Sequence, residues 1–148
     1  MAGTDAMTRA DLDAFVKRHL VSLARRDARA LAADHTEDSV VESPMFATLH
    51  GRPAIEDSWR ALFTSFPDWT TEPTVILIDP PHAAIFVKVT ATHVGEFFGL
   101  PGTNRRVEFQ GVRCLMIKNG FIALERRIYD FTGFLVQVGV LRAKPAKP

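Results

Sequence analysis

The chain has a single cysteine, Cys114, so no internal disulfide can form; set within an apolar run, Cys114 is expected to pack as a small hydrophobe. No apolar run reaches the roughly 18–20 residues that a membrane-crossing helix needs. Residues 1–12 (MAGTDAMTRADL) lack the apolar centre of a secretory signal. Charge of either sign is not in surplus. The formal net charge is +1, and the basic residues form short pairs such as Arg25-Arg26, Arg105-Arg106 and Arg126-Arg127 rather than runs. Electrostatics therefore make no case for nucleic acid or an anionic membrane as partner. No Cys/His cluster has the spacing of a structural zinc site, and there is no internal repeat or low-complexity linker. The default location is the cytoplasm.

What is present suits one domain. The chain has 148 residues, 47% apolar and 24% charged, which is enough to bury a substantial core. A single domain over 1–148 is expected, with frayed ends at 1–7 and at 143–148 (AKPAKP). The last third organises the rest. Residues 107–118 and 121–129 are rich in β-branched and large apolar side chains, and Asn119-Gly120 lies between them. Asn-Gly between two such runs is a strong hairpin signal, because both turn residues tolerate positive φ. A short apolar segment, 131–141, follows.

Upstream, Thr8 can cap a helix with Asp11 completing a weaker capping box, and Leu12, Phe15, Val16, His19, Leu20 and Leu23 recur at helical spacing. Asp27 caps a shorter helix over 28–33. Residues 39–42 have strand character, 45–50 form a short strand or arm, and Pro53 suits the first turn of a third helix. Strands over 70–78 and 84–94 flank the turn at Asp79-Pro80-Pro81, and a loop over 99–104 leads into the hairpin. Helices first, then antiparallel strands, then a short helix: the order predicts an α+β fold with helices on one face of a curved sheet.

This order resembles the cone-shaped α+β fold of the nuclear transport factor 2-like superfamily, and within it the SnoaL-like polyketide cyclases. The matching pieces are LARRD (23–27), HTEDSVVESP (35–44), HGRPAI (50–55), THVGEFFGLPGTNRRVEF (92–109), NGFIALERRIYD (119–130) and QVG (137–139). The resemblance implies a curved sheet enclosing an apolar pocket, and an aldol-type ring closure or isomerisation with no metal or cofactor. It also implies a small apolar substrate, polycyclic or polyketide-like, and a homodimer paired through a sheet face that here carries Glu108, Gln110 and Val112. In the cyclases the aspartate ending the last strand is the general acid/base, which places that role on Asp130; a histidine of the TH-x-G motif places His93 beside it. The related ketosteroid isomerases have an aspartate where this chain has Ser43 and a tyrosine where it has His19, which argues against steroid isomerase chemistry. The Arg-x-Asp pair of limonene epoxide hydrolases has no match on 84–94.

Each candidate has a plainer reading. Asp130 either acts as a base in a cavity, where burial would lift its pKa toward the working pH, or caps the following helix. His93 and His19 either donate to a developing oxyanion or are satisfied core histidines. Arg113 shares its strand face with Val107, Phe109, Leu115 and Ile117, so its charge must be paired, with Glu125 across the hairpin as partner, or meet a polar cavity. Met45, Phe46, Trp59 and Phe63 either line a pocket for a flat ring or are core.

Overall fold

Three of the four helices begin where a side chain caps them. The computed structural model describes residues 6–142. Helix α1 (Arg9–Ala24) opens on a complete capping box, Thr8 accepting from the Asp11 N–H and Asp11 accepting from the Thr8 N–H. Asp27 caps α2 (Ala28–Ala33) through the Ala30 N–H at 3.0 Å. Helix α3 (Gly51–Ser65) has no side-chain cap and relies on Pro53 in its first turn. Asp130 caps α4 (Phe131–Val138), accepting from the Gly133 N–H at 2.8 Å. Of the expected frayed residues, 1–5 and 143–148 lie outside the described residues, and Met7 packs against the core.

The strands are β1 (His35–Glu42), β2 (Leu49–His50), β3 (Thr70–Asp79), β4 (His82–Thr92), β5 (Arg106–Lys118) and β6 (Phe121–Tyr129). They form one sheet in the order β2-β1-β6-β5-β4-β3, antiparallel throughout except where β1 runs parallel to β6. The fold is thus mixed α+β, helices packed on a six-stranded sheet. Asn119 and Gly120 both take positive φ, closing the β5–β6 hairpin as their sequence predicts.

Three boundaries differ from the sequence reading. Strand β1 starts at His35, four residues before the expected position, because Thr36, Glu37 and Asp38 are polar outward residues on a strand whose inward members are His35 and Ser39. The arm expected over 45–50 contracts to the two residues of β2, leaving 43–48 as an irregular segment. In β3 the register slips between Pro73 and Val75. A bulge of one residue reverses which side chains face inward. Ile76 and Ile78 therefore meet the core, while Val75 and Leu77 turn to the outer face.

The core lies between the concave sheet face and the helices. Helix α1 supplies Leu12, Phe15, Val16 and Leu23; α3 supplies Ile55, Trp59 and Leu62; β4 and β5 alternate inward with Ile85, Val87, Val89, Val107 and Leu115. Helix α4 closes one end through Phe134, fully buried, with its ring centroid 5.3 Å from Phe109, 5.4 Å from Phe97 and 5.5 Å from Phe66. Truncation of so enclosed a ring leaves a cavity. Phe134→Ala is expected to lower unfolding free energy by about 3–5 kcal/mol, read as a shift of the urea midpoint at unchanged slope.

Candidate functional site

The alternation of β5 and β6 sends one set of polar side chains inward among apolar neighbours. In register, Arg113 stands opposite Arg127 and Leu115 opposite Glu125. Glu125 is fully buried and accepts from Arg113 Nη2 on one carboxylate oxygen and from Arg127 Nε on the other. The expected Arg113–Glu125 pairing is therefore present, reaching diagonally across the hairpin, and Arg127 completes it. His35 Nε2 lies 3.8 Å from the same carboxylate.

The network continues into the helices. Arg113 Nη2 donates to His19 Nε2 at 2.9 Å, and His19 Nδ1 is 2.7 Å from Asp34 Oδ2. Asp34, the C-cap residue of α2, also accepts from Arg18 Nη1 at 2.8 Å. With Arg113 donating to Nε2, His19 is a neutral imidazole carrying its proton on Nδ1. Burial lowers its pKa to about 4, outweighing the bond to Asp34. Burial would raise the Glu125 pKa, but Arg113 and Arg127 hold it well below the usual carboxylate range. For Asp34 too, the bonds from His19 and Arg18 outweigh burial and lower the pKa.

Above this network lies a cavity of about 50 Å³ between sheet and helices. Its walls are apolar: Leu23 and Leu62 from the helices, Trp69, and Val87, Val89 and Phe109 from the sheet. Its polar lining is Arg113, Arg127, Trp59, Tyr129, Ser43 and Thr71. The Trp59 ring lies under both guanidiniums, 4.4 Å from Arg127 Cζ and 5.7 Å from Arg113 Cζ. Tyr129 Oη and Ser43 Oγ are 3.2 Å apart, and burial pushes the phenol pKa up, so it stays protonated. Gly111 stands opposite Tyr129, where a Cβ would come within 3.1 Å of the Tyr129 Cβ and 3.0 Å of the Ile128 carbonyl oxygen. Its bareness lets the tyrosine lie against the sheet.

Met45 and Phe46 line this cavity and also an outer crevice with Ala61, Glu96, Phe97 and Phe98. The segment after β1 is thus the partition between them. A larger concavity of about 900 Å³ lies between α1 and the β3–β4 hairpin, but it opens widely to solvent and shares no residue with the ionic network. The enclosed cavity is the chemically furnished one.

The sequence-predicted residues separate accordingly. Phe46, Trp59 and Arg113 line the cavity. Phe63 does not: it stacks on the far side of Trp59, ring centroids 5.3 Å apart, and lines a surface groove beside Arg25 and Arg26. His19 sits behind Arg113 rather than in the wall. His93 is buried beside Phe66 and Phe97 and is engaged at Nδ1 by Thr103, fastening the loop before β5. Asp130 is exposed, caps α4, and follows Tyr129 at the strand's end; it and His93 do not meet. No carboxylate or imidazole is among the cavity's lining residues. Arg127 and Tyr129 escaped the sequence reading, although the period-2 relation of Glu125, Arg127 and Tyr129 was available to find them; Ser43 entered it only as the residue at the position of the ketosteroid isomerases' aspartate. Among the described residues, no group of three His, Cys, Asp or Glu could hold a metal ion, and no helix is long and apolar enough to cross a membrane.

The SnoaL-like polyketide cyclase family model matches residues 14–138. Among solved structures, AclR from Streptomyces galilaeus, described as a candidate hydroxylase, is 24% identical and superposes with a TM-score of 0.81 over 93% of this chain and 87% of its own. TsrD from Streptomyces laurentii is 19% identical, with a TM-score of 0.78 over 90% and 98%. A candidate polyketide cyclase from Xanthomonas campestris pv. campestris is 17% identical, with a TM-score of 0.80 over 90% and 98%. At these identities the likeness establishes the fold. No curated protein sequence matches the chain.

The neutral buried His19 makes stability depend on pH. Its folded pKa of about 4 lies below the 6.5 of the free side chain, so the unfolded chain binds the proton more readily between them. Its contribution is complete above about pH 6.5 and is lost as pH falls through about 4. Urea unfolding at pH 7 and pH 4.5 is expected to show a loss, and His19→Gln, less stable at pH 7, a shallower slope across the same window.

Proposed function

The chain belongs to the SnoaL-like polyketide cyclase family, and on that premise we propose that it is a cofactor-independent acid–base catalyst of the cyclase or isomerase type. Its substrate is an apolar, carbonyl-rich molecule held between the helices and the sheet. The observation that carries this reading is the cavity's composition: apolar walls over a polar end built of donors, Arg113, Arg127, Trp59, Tyr129 and Ser43. Donors held in place by packing and ion pairs need no reorganisation when negative charge develops on a carbonyl oxygen. An aldol closure creates such charge twice. A base removes a C–H proton and leaves an enolate; the enolate carbon attacks a second carbonyl, whose oxygen then takes up a proton.

The base in this reading is Asp130, exposed at the end of β6 next to Tyr129. It takes the C–H proton and returns it to the new alkoxide. Phe46, Trp59 and Arg113 contact the substrate. A volume of about 50 Å³ is far below the roughly 300–1,000 Å³ of ordinary ligand sites. Substrate entry therefore displaces Met45 and Phe46 and joins the cavity to the crevice of about 440 Å³ outside. A second reading, a non-catalytic binding protein, is favoured by the lack of a carboxylate in the lining and by the capping bond of Asp130.

We also propose a homodimer through the outer sheet face. Across it run Val75, Phe86, Val112 and Ile128 in register, with Leu77 beside them, an apolar row, exposed except at the half-buried Val112, suited to a second copy of itself. Ile128→Lys is expected to convert a dimer in analytical ultracentrifugation to a monomer; a wild-type monomer would refute the pairing.

Asp130→Ser separates chemistry from capping, because serine caps as well as aspartate but carries no carboxylate. Turnover of enolisable β-keto esters is expected to fall by about 10²–10⁴ with an unchanged urea midpoint. Full activity in that variant would remove Asp130 from the mechanism.

A further inference from the structure

The polar end of the cavity holds more positive charge than its own partners neutralise. Three guanidiniums, Arg18, Arg113 and Arg127, face two carboxylates, Asp34 and Glu125, with His19 neutral between them. Arg18 is largely exposed and turned to Asp34, so the uncompensated charge belongs to the buried pair. Arg113, Arg127 and Trp59 are all at least nine-tenths buried. Each retains N–H groups with no acceptor: Nε and Nη1 of Arg113, Nη2 of Arg127 and Nε1 of Trp59. Buried donors ordinarily find acceptors. Here all of them belong to residues lining the same small cavity. The remaining members of that lining near them, Tyr129 and Ser43, are hydroxyls that can also donate.

We propose that this end of the cavity is a carboxylate-binding site, and that the ligand is a monoanion: an apolar or aromatic body bearing one carboxylate. The proposal rests on the reading that the cavity binds a small molecule, and it names that molecule's chemical class. The planar guanidiniums present parallel N–H groups that match two carboxylate oxygens, and the Trp59 N–H supplies a further donor. One negative charge restores neutrality to the buried group. The apolar wall formed by Leu62, Val87, Val89 and Phe109 takes the body of the ligand. A neutral carbonyl leaves the excess charge in place, and an ammonium meets only donors. The volume of about 50 Å³ suits the carboxylate itself, with the body extending past Met45 and Phe46.

The test uses the wild-type protein with two probes of equal shape, phenylacetate and phenylacetamide, at pH 7. Binding is followed by the Trp59 indole N–H resonance, assigned with Trp59→Phe. Phenylacetate is expected to bind at least about tenfold more tightly, the margin typical of charge-assisted over neutral hydrogen bonds, and to shift the Trp59 N–H. Arg127→Gln, which leaves the Arg113–Glu125 pair intact, is expected to erase that preference. Equal binding of acid and amide would overturn the carboxylate site while leaving the cavity as a small-molecule site. Binding of neither probe would overturn both.

Discussion

A carboxylate with no exposure to water, Glu125, sits between two guanidiniums at the centre of this protein. Removing such a charge from solvent is expensive, and it is tolerated only because Arg113 and Arg127 each spend a directed hydrogen bond on it. That constraint fixes much else. Arg113, held by Glu125, offers its Nη2 to His19; His19 must then accept on Nε2 and turn its proton toward Asp34. One ion pair on the β5–β6 hairpin thereby sets the tautomer of a histidine on α1 and the partner of a carboxylate at the end of α2. Helices and sheet are joined by polar geometry as well as by apolar contact.

The same constraint divides the site into layers. Side chains of catalytic type, His19, Asp34 and Glu125, are engaged with the arginines. What reaches the cavity is the outer edge of those arginines, with the Trp59 ring beneath them. The carboxylates set the orientation of the donors, and the donors line the cavity. Burial keeps His19 neutral, and both its ring nitrogens are engaged, one by Arg113 and one by Asp34.

Local signals in the sequence were sufficient for the elements whose stabilisation is local. The Asn119-Gly120 turn, the Thr8 box, the cap at Asp27 and the stripe of α1 each depend on residues within a few positions, and each stands where it was expected; the cap at Asp130, one of two readings open for that residue, is equally local. Strand β1 was half hidden because it opens on the polar run His-Thr-Glu-Asp, whose inward histidine is held by the Leu31 carbonyl four residues back and lies near Glu125, a neighbour that no short window of sequence contains. For the site the limit is similar. Alternation identified Arg113 as inward, but whether an inward polar group meets a ligand or another side chain depends on partners 12 to 94 residues away. Arg127 and Tyr129 were equally inward and went unremarked for that reason, while Phe63 and His19, correctly placed on helices near the core, stand one layer behind the wall.

The extra residue in β3 works as a phase shifter in an otherwise strict two-beat pattern. Before it, inward positions are odd-numbered; after it they are even, and the sheet's two faces exchange claims on the same tetrad of apolar side chains, Val75 to Ile78. Without that residue Val75 and Leu77 would face inward and Ile76 and Ile78 outward, so either phase divides the four equally between the two faces. The inserted residue therefore chooses which aliphatic shapes meet the interior, and leaves unchanged how much hydrophobicity the strand gives it.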